Sequence, residues 1–184
     1  MKPVARSEIV DYVTYEDVRP TLREEVLAAK ARRRIHLGAH LTLLFENALT
    51  VRYQIQEMMR VERLVREADI VHELDTYNGL LGGDGELGAT LLIEIDEPAD
   101  RAVKLREWLA LPKHVYATLD DRSHVRAVFD PAQVGNDRLS SVQYLKFPVG
   151  GHALVALGVD LPGLRLETKL SDDQHAALAD DLAS

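Results

Sequence analysis

One run without glycine or proline dominates the first half of the chain: Thr50-Val51-Arg52-Tyr53-Gln54-Ile55-Gln56-Glu57-Met58-Met59-Arg60-Val61-Glu62-Arg63-Leu64-Val65-Arg66-Glu67. Since an α-helix advances about 100° per residue, apolar residues that recur every three or four positions share one side. The residues on that side are Val51, Ile55, Met58 and Val65. The pattern predicts one long central helix over 50–67 whose apolar side packs on the core.

Glu62 interrupts the apolar side of this helix, because its direction falls between those of Ile55 and Met58. If the side packs inward, Glu62 is a buried carboxylate, which has to be protonated, paired or bound to a metal. A metal, a substrate cation or a proton in transit would then give it a chemical role. The alternatives are an ion pair with Arg66 near the surface, or a helix rotated away from this direction.

A second series of polar residues repeats at spacings of four, three, four and three. Its members are Glu46, Thr50, Tyr53, Glu57 and Arg60. If the helix begins early enough to include Glu46, these groups lie along one side. They would form the wall of a pocket in which Tyr53 donates a proton and Glu57 acts as base or ligand. The alternative is a solvated helix face with contacts between Glu57 and Arg60.

Two histidines, His36 and His40, stand four positions apart, which is the separation of two metal ligands on one helical face. With Glu57 and Glu62 they form our candidate ligand set for iron or manganese. Gly38 lies between the histidines in a segment with the pattern of strand or loop. Structural histidines without a metal are therefore the competing interpretation.

The first half of the chain is predicted to be rich in helices and the second half rich in strands. Helices are predicted from Thr21, over 50–67, over Ile70–Leu81 and Ala99–Leu109, and from a cap at Ser171 through Leu182. Strands are predicted at 34–37, 40–45, 89–95, His114–Leu119, His124–Phe129, Ser141–Phe147, His152–Val159 and 164–167. Consecutive strands without intervening helices favour an antiparallel sheet. We expect an α+β fold, with a largely antiparallel sheet flanked by helices in a single domain over 1–184.

Composition excludes several classes of function. The 184 residues include 22 basic and 30 acidic side chains, a net charge of −8, and no cysteine. This acidity argues against a nucleic-acid-binding protein, and the missing thiols exclude disulfides, thiolate zinc and a cysteine nucleophile. No apolar run approaches the ~18–20 residues that span a bilayer, and the N-terminus lacks the apolar core of a signal peptide. We expect a cytoplasmic protein without membrane contact.

The segment Gly83-Asp84-Gly85-Glu86-Leu87-Gly88 matches the glycine pattern of dinucleotide-binding loops. That fingerprint requires a strand before the loop and a helix after it, so that the helix N-terminus meets the pyrophosphate. Here a helix is predicted before the loop and a strand after it. Two acidic residues within the loop would also repel phosphate. We reject this interpretation.

Several stretches together resemble an uncharacterised bacterial family that is defined as a domain of unknown function. They are Phe45-Glu46-Asn47, Tyr53-Gln54-Ile55-Gln56-Glu57-Met58, Glu62-Arg63, Glu73-Leu74, Tyr77-Asn78 and Glu86-Leu87 with Ala89-Thr90-Leu91. The resemblance covers nearly the whole chain and is densest from Arg32 to Glu94. It implies genes beside those of rubrerythrin-like and cysteine-rich iron–sulfur oxidoreductases, and hence an association with redox or peroxide defence. It provides no catalytic residues.

Three functional hypotheses follow. The first is an accessory or interaction protein that binds a partner of an iron-dependent redox or peroxide-stress system. The second is an enzyme or sensor with a small polar pocket, which holds a non-haem metal in one version of the hypothesis. The third is a homodimer that binds a small molecule. The candidate binding residues are Glu46, Tyr53, Gln54, Glu57, Arg60 and Glu62.

Overall fold

Helices and strands alternate irregularly along the chain, which the computed structural model describes from Met1 to Ser184. The helices are α1 (Tyr12–Ala31), α2 (Ala48–Glu62), α3 (Glu67–Asn78), α4 (Pro98–Glu107), α5 (Leu111–His114) and α6 (Asp172–Ala183). The strands are β1 (Arg34–Leu37), β2 (Leu41–Phe45), β3 (Glu86–Ile93), β4 (Val115–Leu119), β5 (His124–Arg126), β6 (Val142–Pro148), β7 (Leu154–Leu161) and β8 (Leu164–Lys169). The predicted α+β class is confirmed. None of the helices combines the length and the apolar character needed to cross a bilayer.

The eight strands form two antiparallel sheets, where the sequence had suggested one. The first sheet has the order β1-β2-β3-β6 and the second has the order β5-β4-β7-β8. After β3 the chain leaves the first sheet through α4 and α5, builds β4 and β5, and returns for β6. Consecutive strands therefore change sheets, which the order of predicted strands along the chain does not reveal.

The main hydrophobic core lies between the two sheets. Alternate residues of β2, such as Leu43 and Phe45, meet alternate residues of β7, such as Leu157, in one cluster of buried side chains. The rings of Phe45 and Phe147 lie 5.8 Å apart between their centres. A second, smaller apolar cluster joins the N-terminal segment to α2 and α3. Because β2 has the main core on one face and helices on the other, all five of its residues are buried.

The edges of the two sheets meet on both sides of the main core. At one side the hydroxyl of Thr168 on β8 donates to the carbonyl of His36 on β1 at 2.9 Å. At the other side Val128, just after β5, exchanges two backbone hydrogen bonds with Lys146 of β6. Next to them the side-chain amide of Gln133 donates to the carbonyl of Tyr144 and accepts from its N–H. The side chain of Gln133 thus takes the place of a neighbouring strand at the free edge of β6.

Helix α1 begins earlier than the sequence suggested, because it runs through Pro20 instead of starting after it. Asp11 caps its N-terminus by accepting from the N–H groups of Val13 and Thr14. A proline in a helix interior costs about 3 kcal/mol. Complete burial of Tyr15, and the ion pair of Arg19 with α2, offset this cost on either side of the proline.

The helix predicted over 50–67 ends early, since α2 stops at Glu62, and the second helix, predicted over Ile70–Leu81, is α3, which begins at Glu67. Arg63 adopts the left-handed conformation (φ 53°, ψ 45°), and its N–H bonds to the carbonyl of Met59. This left-handed C-cap ends α2 and changes the direction of the chain. Val65, which was expected on the apolar side, therefore lies in solvent with 73% of its surface exposed.

Helix α6 is fastened to the start of β1 by a buried ion pair. Arg33 donates to Asp181 through Nε and Nη2 at 2.7 and 2.8 Å, and both residues are buried. The side chain of Ser171 caps the helix by accepting from the N–H of Gln174, as its sequence predicted. A bidentate charged contact thereby joins the C-terminal helix to the start of the first sheet.

Candidate functional site

Glu46 is a buried carboxylate at the junction between β2 and α2. The residue is 9% exposed, and its N–H donates to the carbonyl of Gly88 on β3 at 2.9 Å. Two hydroxyl groups donate to the carboxylate, from Thr50 at 2.6 Å and from Thr90 at 2.9 Å. None of the ion pairs of the protein includes Glu46. Its carboxylate is therefore stabilised by two hydroxyl groups and by the adjacent N-terminus of α2, without a cation.

The cap of α2 places the first of these hydroxyl groups. Asn47 accepts a hydrogen bond from the N–H of Thr50 through its side chain, and the Thr50 hydroxyl accepts from the N–H of Asn47. This reciprocal cap holds Thr50 in the first turn of the helix and directs its hydroxyl proton to Glu46. Thr90 comes from β3, where it lies opposite Leu44 of β2.

A pocket of about 240 Å³ lies beside Glu46, between the first sheet and helices α1, α2 and α3. We call it the Glu46 pocket. Its lining residues are Lys30, Leu44, Glu46, Val51, Gln54, Tyr77, Leu80, Thr90, Leu92, Val142 and Tyr144. Ligand pockets of proteins commonly measure ~300–1,000 Å³. The size of this one suits a molecule smaller than most drugs.

The cation of the Glu46 pocket is Lys30, which lies in the last turn of α1. Its ammonium nitrogen lies 5.6 Å from the centre of the Tyr53 ring, within the range of a cation–π interaction. Lys30 has no carboxylate partner at ion-pair distance. The wall thus carries one acid and one base that do not pair with each other.

Two phenols line the pocket, from Tyr77 and Tyr144. Burial raises the pKa of Tyr77 above its usual value near 10, so that its phenol stays protonated. Tyr144 contributes a second phenol from β6 and is half exposed. Together with Gln54, these residues offer hydrogen bonds to a polar ligand in a wall that is otherwise mostly apolar.

A second polar cluster surrounds Glu57, further along α2. Its carboxylate accepts from Tyr15 Oη at 2.7 Å, from Arg19 Nε at 2.7 Å and from Arg60 Nη2 at 3.2 Å. Burial alone would raise the pKa of Glu57, but hydrogen bonds from Arg19, Tyr15 and Arg60 outweigh it and lower the pKa to about 2. Every oxygen of this carboxylate has a partner from the protein. The Glu57 cluster joins α1 to α2, and both carboxylate oxygens are used in hydrogen bonds within the protein instead of being available to a ligand.

The family model described as Protein of unknown function (DUF3501) matches residues 3–182. The chain belongs to this family. A crystal structure from Burkholderia pseudomallei K96243, described as a novel protein of unknown function, is similar to it with 31% sequence identity and a TM-score of 0.90. The similarity covers 98% of this chain and 100% of that one. No curated protein matches the chain at a significant level. The resemblance to an uncharacterised domain family is thereby confirmed.

The predicted binding residues do not form one wall in this member of the family. Glu46 and Gln54 line the Glu46 pocket, and Tyr53 lies beneath the Lys30 ammonium. Glu57 and Arg60 belong to the separate cluster described above. Tyr53, Glu57 and Arg60 lie on α2 as the spacing predicts, whereas the helix begins too late to include Glu46. Neighbouring elements then divide them between two environments.

Glu62 does not point into the interior. It is exposed, and it forms no ion pair with Arg66, which occupies the N-cap position of α3 without a side-chain hydrogen bond to the helix. The buried apolar stripe of α2 consists of Val51, Ile55 and Met59. Because the helix ends at Glu62, that stripe stops before it would carry the carboxylate inward.

The structure does not bring the four candidate metal ligands together. His36 bonds to the hydroxyl of Thr42 at 2.9 Å and His40 lies 3.2 Å from the carbonyl of Glu94, both on the β1–β2 hairpin. Glu57 is occupied by Arg19 and Tyr15, and Glu62 is exposed. Three other side chains do have ligand atoms within 4.8 Å of one another, in exposed loops: Asp120, Asp121 and His152.

Sequence reasoning missed Lys30, Tyr77, Thr90 and Tyr144 as pocket residues. They come from α1, α3, β3 and β6, and no spacing along the chain relates them. The one available signal is Thr90, a polar residue within the apolar run from Ala89 to Ile93. In the register of the sheet it lies between Leu44 and Tyr144, which places its hydroxyl beside Glu46.

The glycines of the rejected dinucleotide pattern have a structural role near the same pocket. Helix α3 precedes them and β3 follows, as predicted. Gly85 has a φ of +67°, a conformation that favours glycine. A methyl group at Gly88 would overlap with the carbonyl oxygen of Leu80. Gly88 therefore lets the segment that carries Leu80 close over the sheet.

Proposed function

We propose that the protein binds a small polar molecule in the Glu46 pocket and acts as a sensor or accessory factor controlled by that ligand. The observation that supports this most strongly is the Glu46 carboxylate itself. It is nine-tenths buried beside a pocket and has no cation as partner. A buried carboxylate without a cationic partner is costly, and a few polar groups in a mostly apolar pocket are typical of ligand sites.

The position of the pocket supports a sensing role. Its wall combines residues from three helices with residues from three strands of the first sheet. A ligand that contacts both layers would stabilise the way α1, α2 and α3 pack on the sheet. At a concentration of a hundred times its dissociation constant, it would stabilise the folded state by about 2.7 kcal/mol.

A variant that fills the pocket tests the proposal. Leu92 lines the pocket from β3, so Leu92→Trp would occupy it with an indole ring. We expect metabolite mixtures to contain a component that raises the melting temperature of the wild type by roughly 5–10 °C and leaves the variant unchanged. The matched control, Val103→Trp on the exposed side of α4, retains the shift. Equal shifts in wild type and Leu92→Trp would contradict the proposal.

A second candidate is the interaction role that the family resemblance implies, with a partner from an iron-dependent redox or peroxide-stress system. The supporting observation is a polar cluster on the second sheet, where Tyr116 is half-buried and His124 and Arg126 are exposed. There the Tyr116 ring stacks on His124 at 4.9 Å, with the Arg126 guanidinium 5.6 Å from its centre. Co-purification from the native host at low salt tests this role. Recovery of the bare chain would count against it.

The other sequence-based expectations about function stay predictions. They are the cytoplasmic location, a homodimer, and a non-haem iron or manganese ion. Metal analysis of protein purified without oxygen tests the last of these. Stoichiometric metal that is lost in Glu46→Ala would place it in the Glu46 pocket.

A further inference from the structure

Two opposite charges line the Glu46 pocket without pairing. Glu46 extends from the end of β2 and Lys30 from the last turn of α1. Neither belongs to an ion pair with any residue of the chain. The carboxylate is buried and the lysine half-buried. Glu46 has two threonine hydroxyls and Lys30 has the Tyr53 ring as partners, but neither has the opposite charge that would stabilise it best away from water.

The rest of the wall is suited to a short apolar body. The aliphatic side chains are Leu44, Val51, Leu80, Leu92 and Val142. The phenols of Tyr77 and Tyr144 and the amide of Gln54 supply further hydrogen bonds. A volume of about 240 Å³ limits the ligand to a few heavy atoms beyond its charged ends.

We propose that the ligand of the Glu46 pocket is a small zwitterion whose ammonium group binds Glu46 and whose carboxylate binds Lys30. The free amino acids are the chemical class with these features. This inference rests on the proposed function, since it requires that the pocket binds a small molecule. Such a ligand would compensate both charges of the wall at once.

Ligands with one charge complement the wall less well. A simple amine would meet Glu46 but would bring a second cation next to Lys30. A simple carboxylic acid would meet Lys30 but would place a second anion beside the buried Glu46. Like charges at close range in a partly desolvated site oppose binding. The unpaired acid and base therefore favour a molecule that carries both signs.

Titration calorimetry with defined probes tests the assignment. The probes are alanine, valine, leucine and unbranched amino acids of three to six carbons, with butylammonium and butanoate as single-charge analogues. We expect at least one zwitterion to bind the wild type roughly tenfold or more tightly than either analogue. In Glu46→Gln, which keeps the shape of the side chain but removes its charge and one of its two acceptor oxygens, we expect that affinity to fall roughly 30-fold or more.

Two lysine variants complete the test. Lys30→Met keeps the length of the side chain without its charge and is expected to weaken zwitterion binding roughly tenfold. Lys113→Met changes an exposed lysine outside the pocket and is expected to leave binding unchanged. Circular dichroism and melting temperature confirm that each variant is folded.

The outcomes separate this inference from the proposed function. Butylammonium or butanoate that binds as tightly as every zwitterion overturns the zwitterion assignment. The same holds if no amino acid binds while a metabolite still stabilises the wild type and not Leu92→Trp. In that case the ligand-binding function stands. If neither the probes nor any metabolite bind, both proposals fall.

Discussion

The phenolic oxygen of Tyr15 donates a 2.7 Å hydrogen bond to Glu57, across 42 positions of sequence. Tyr15 is fully buried in α1, and Glu57 projects from α2. The contact places an uncharged donor against a carboxylate that two arginines also bind. The helical layer over the first sheet is therefore fixed by a charged hydrogen-bond network as well as by apolar packing.

Removal of the Tyr15 hydroxyl will destabilise the protein. Tyr15→Phe keeps the ring in place but takes one donor from Glu57, and hydrogen bonds to charged groups contribute about 1.5–3 kcal/mol. We expect a loss of this size in the free energy of unfolding, measured by urea denaturation. Tyr12→Phe, in the first turn of the same helix and without such a contact, is the control. Equal losses in the two variants would contradict a specific role for the Tyr15 hydroxyl.

The Glu57 cluster will make the free energy of unfolding decrease as the pH falls below about 4.5. The pKa of Glu57 is lowered from 4.5 to about 2 by its three donors against the opposing effect of burial. Its contribution is therefore complete above pH 4.5 and is lost as the pH falls toward 2. That contribution is at most about 3 kcal/mol. Unfolding measured from pH 7 to pH 2 will show a smaller decline in Glu57→Gln than in the wild type.

The control for this pH dependence lies on the same helix. Glu62→Gln removes a carboxylate that is exposed and unpaired. Its stability curve should follow that of the wild type. If Glu57→Gln and the wild type lose the same stability on acidification, the ion pairs of Glu57 do not contribute in solution.

The buried pair of Arg33 and Asp181 will be sensitive to loss of one partner. Asp181→Asn leaves the Arg33 guanidinium in the interior without a counter-charge, which typically costs about 3–5 kcal/mol. The neighbouring Asp180→Asn changes an exposed residue and should alter the free energy of unfolding by less than about 0.5 kcal/mol. Replacement of both partners, in Arg33→Met with Asp181→Leu, should recover most of the loss, since no unpaired charge remains. Chemical denaturation of the four proteins measures each difference.

Gly88 will not tolerate a side chain. In Gly88→Ala the new methyl group overlaps with the carbonyl oxygen of Leu80, so that one backbone segment has to move. We expect a loss of about 1–3 kcal/mol or more in thermal unfolding. Gly151→Ala, where nothing lies within 4 Å of the added carbon, should be nearly neutral. A stable Gly88→Ala protein would show that the Leu80 segment adapts.

Local patterns predicted most of the elements but few of their long-range contacts. The strands and the cap at Ser171 follow from alternation and capping chemistry, which act within a few residues. Pro20 marked a helix boundary that burial of Tyr15 overrides. Arg63 gave no sign of its left-handed conformation, because glycine is the usual residue there. Because Arg63 ends α2, Glu62 is exposed instead of buried.

The candidate site was predictable only in part, for the same reason. Glu46 was found because spacing along one helix relates it to Thr50 and Tyr53, and Gln54 was included as a member of the stretch that carries the family resemblance. Lys30 and Tyr77 reach the pocket from other helices, and their approach depends on how the helices pack on the sheet. Side-chain periodicity within one element does not encode that arrangement.

The amide of Gln133 has a consequence for the behaviour of the protein in a crowded solution. Exposed strand edges offer unpaired N–H and C=O groups on which foreign chains build intermolecular β-structure. At Tyr144 both groups are already satisfied by Gln133, and the next outward-facing residue, Lys146, is paired with Val128. A passing polypeptide finds no free template on this part of β6, which protects this edge against intermolecular strand pairing.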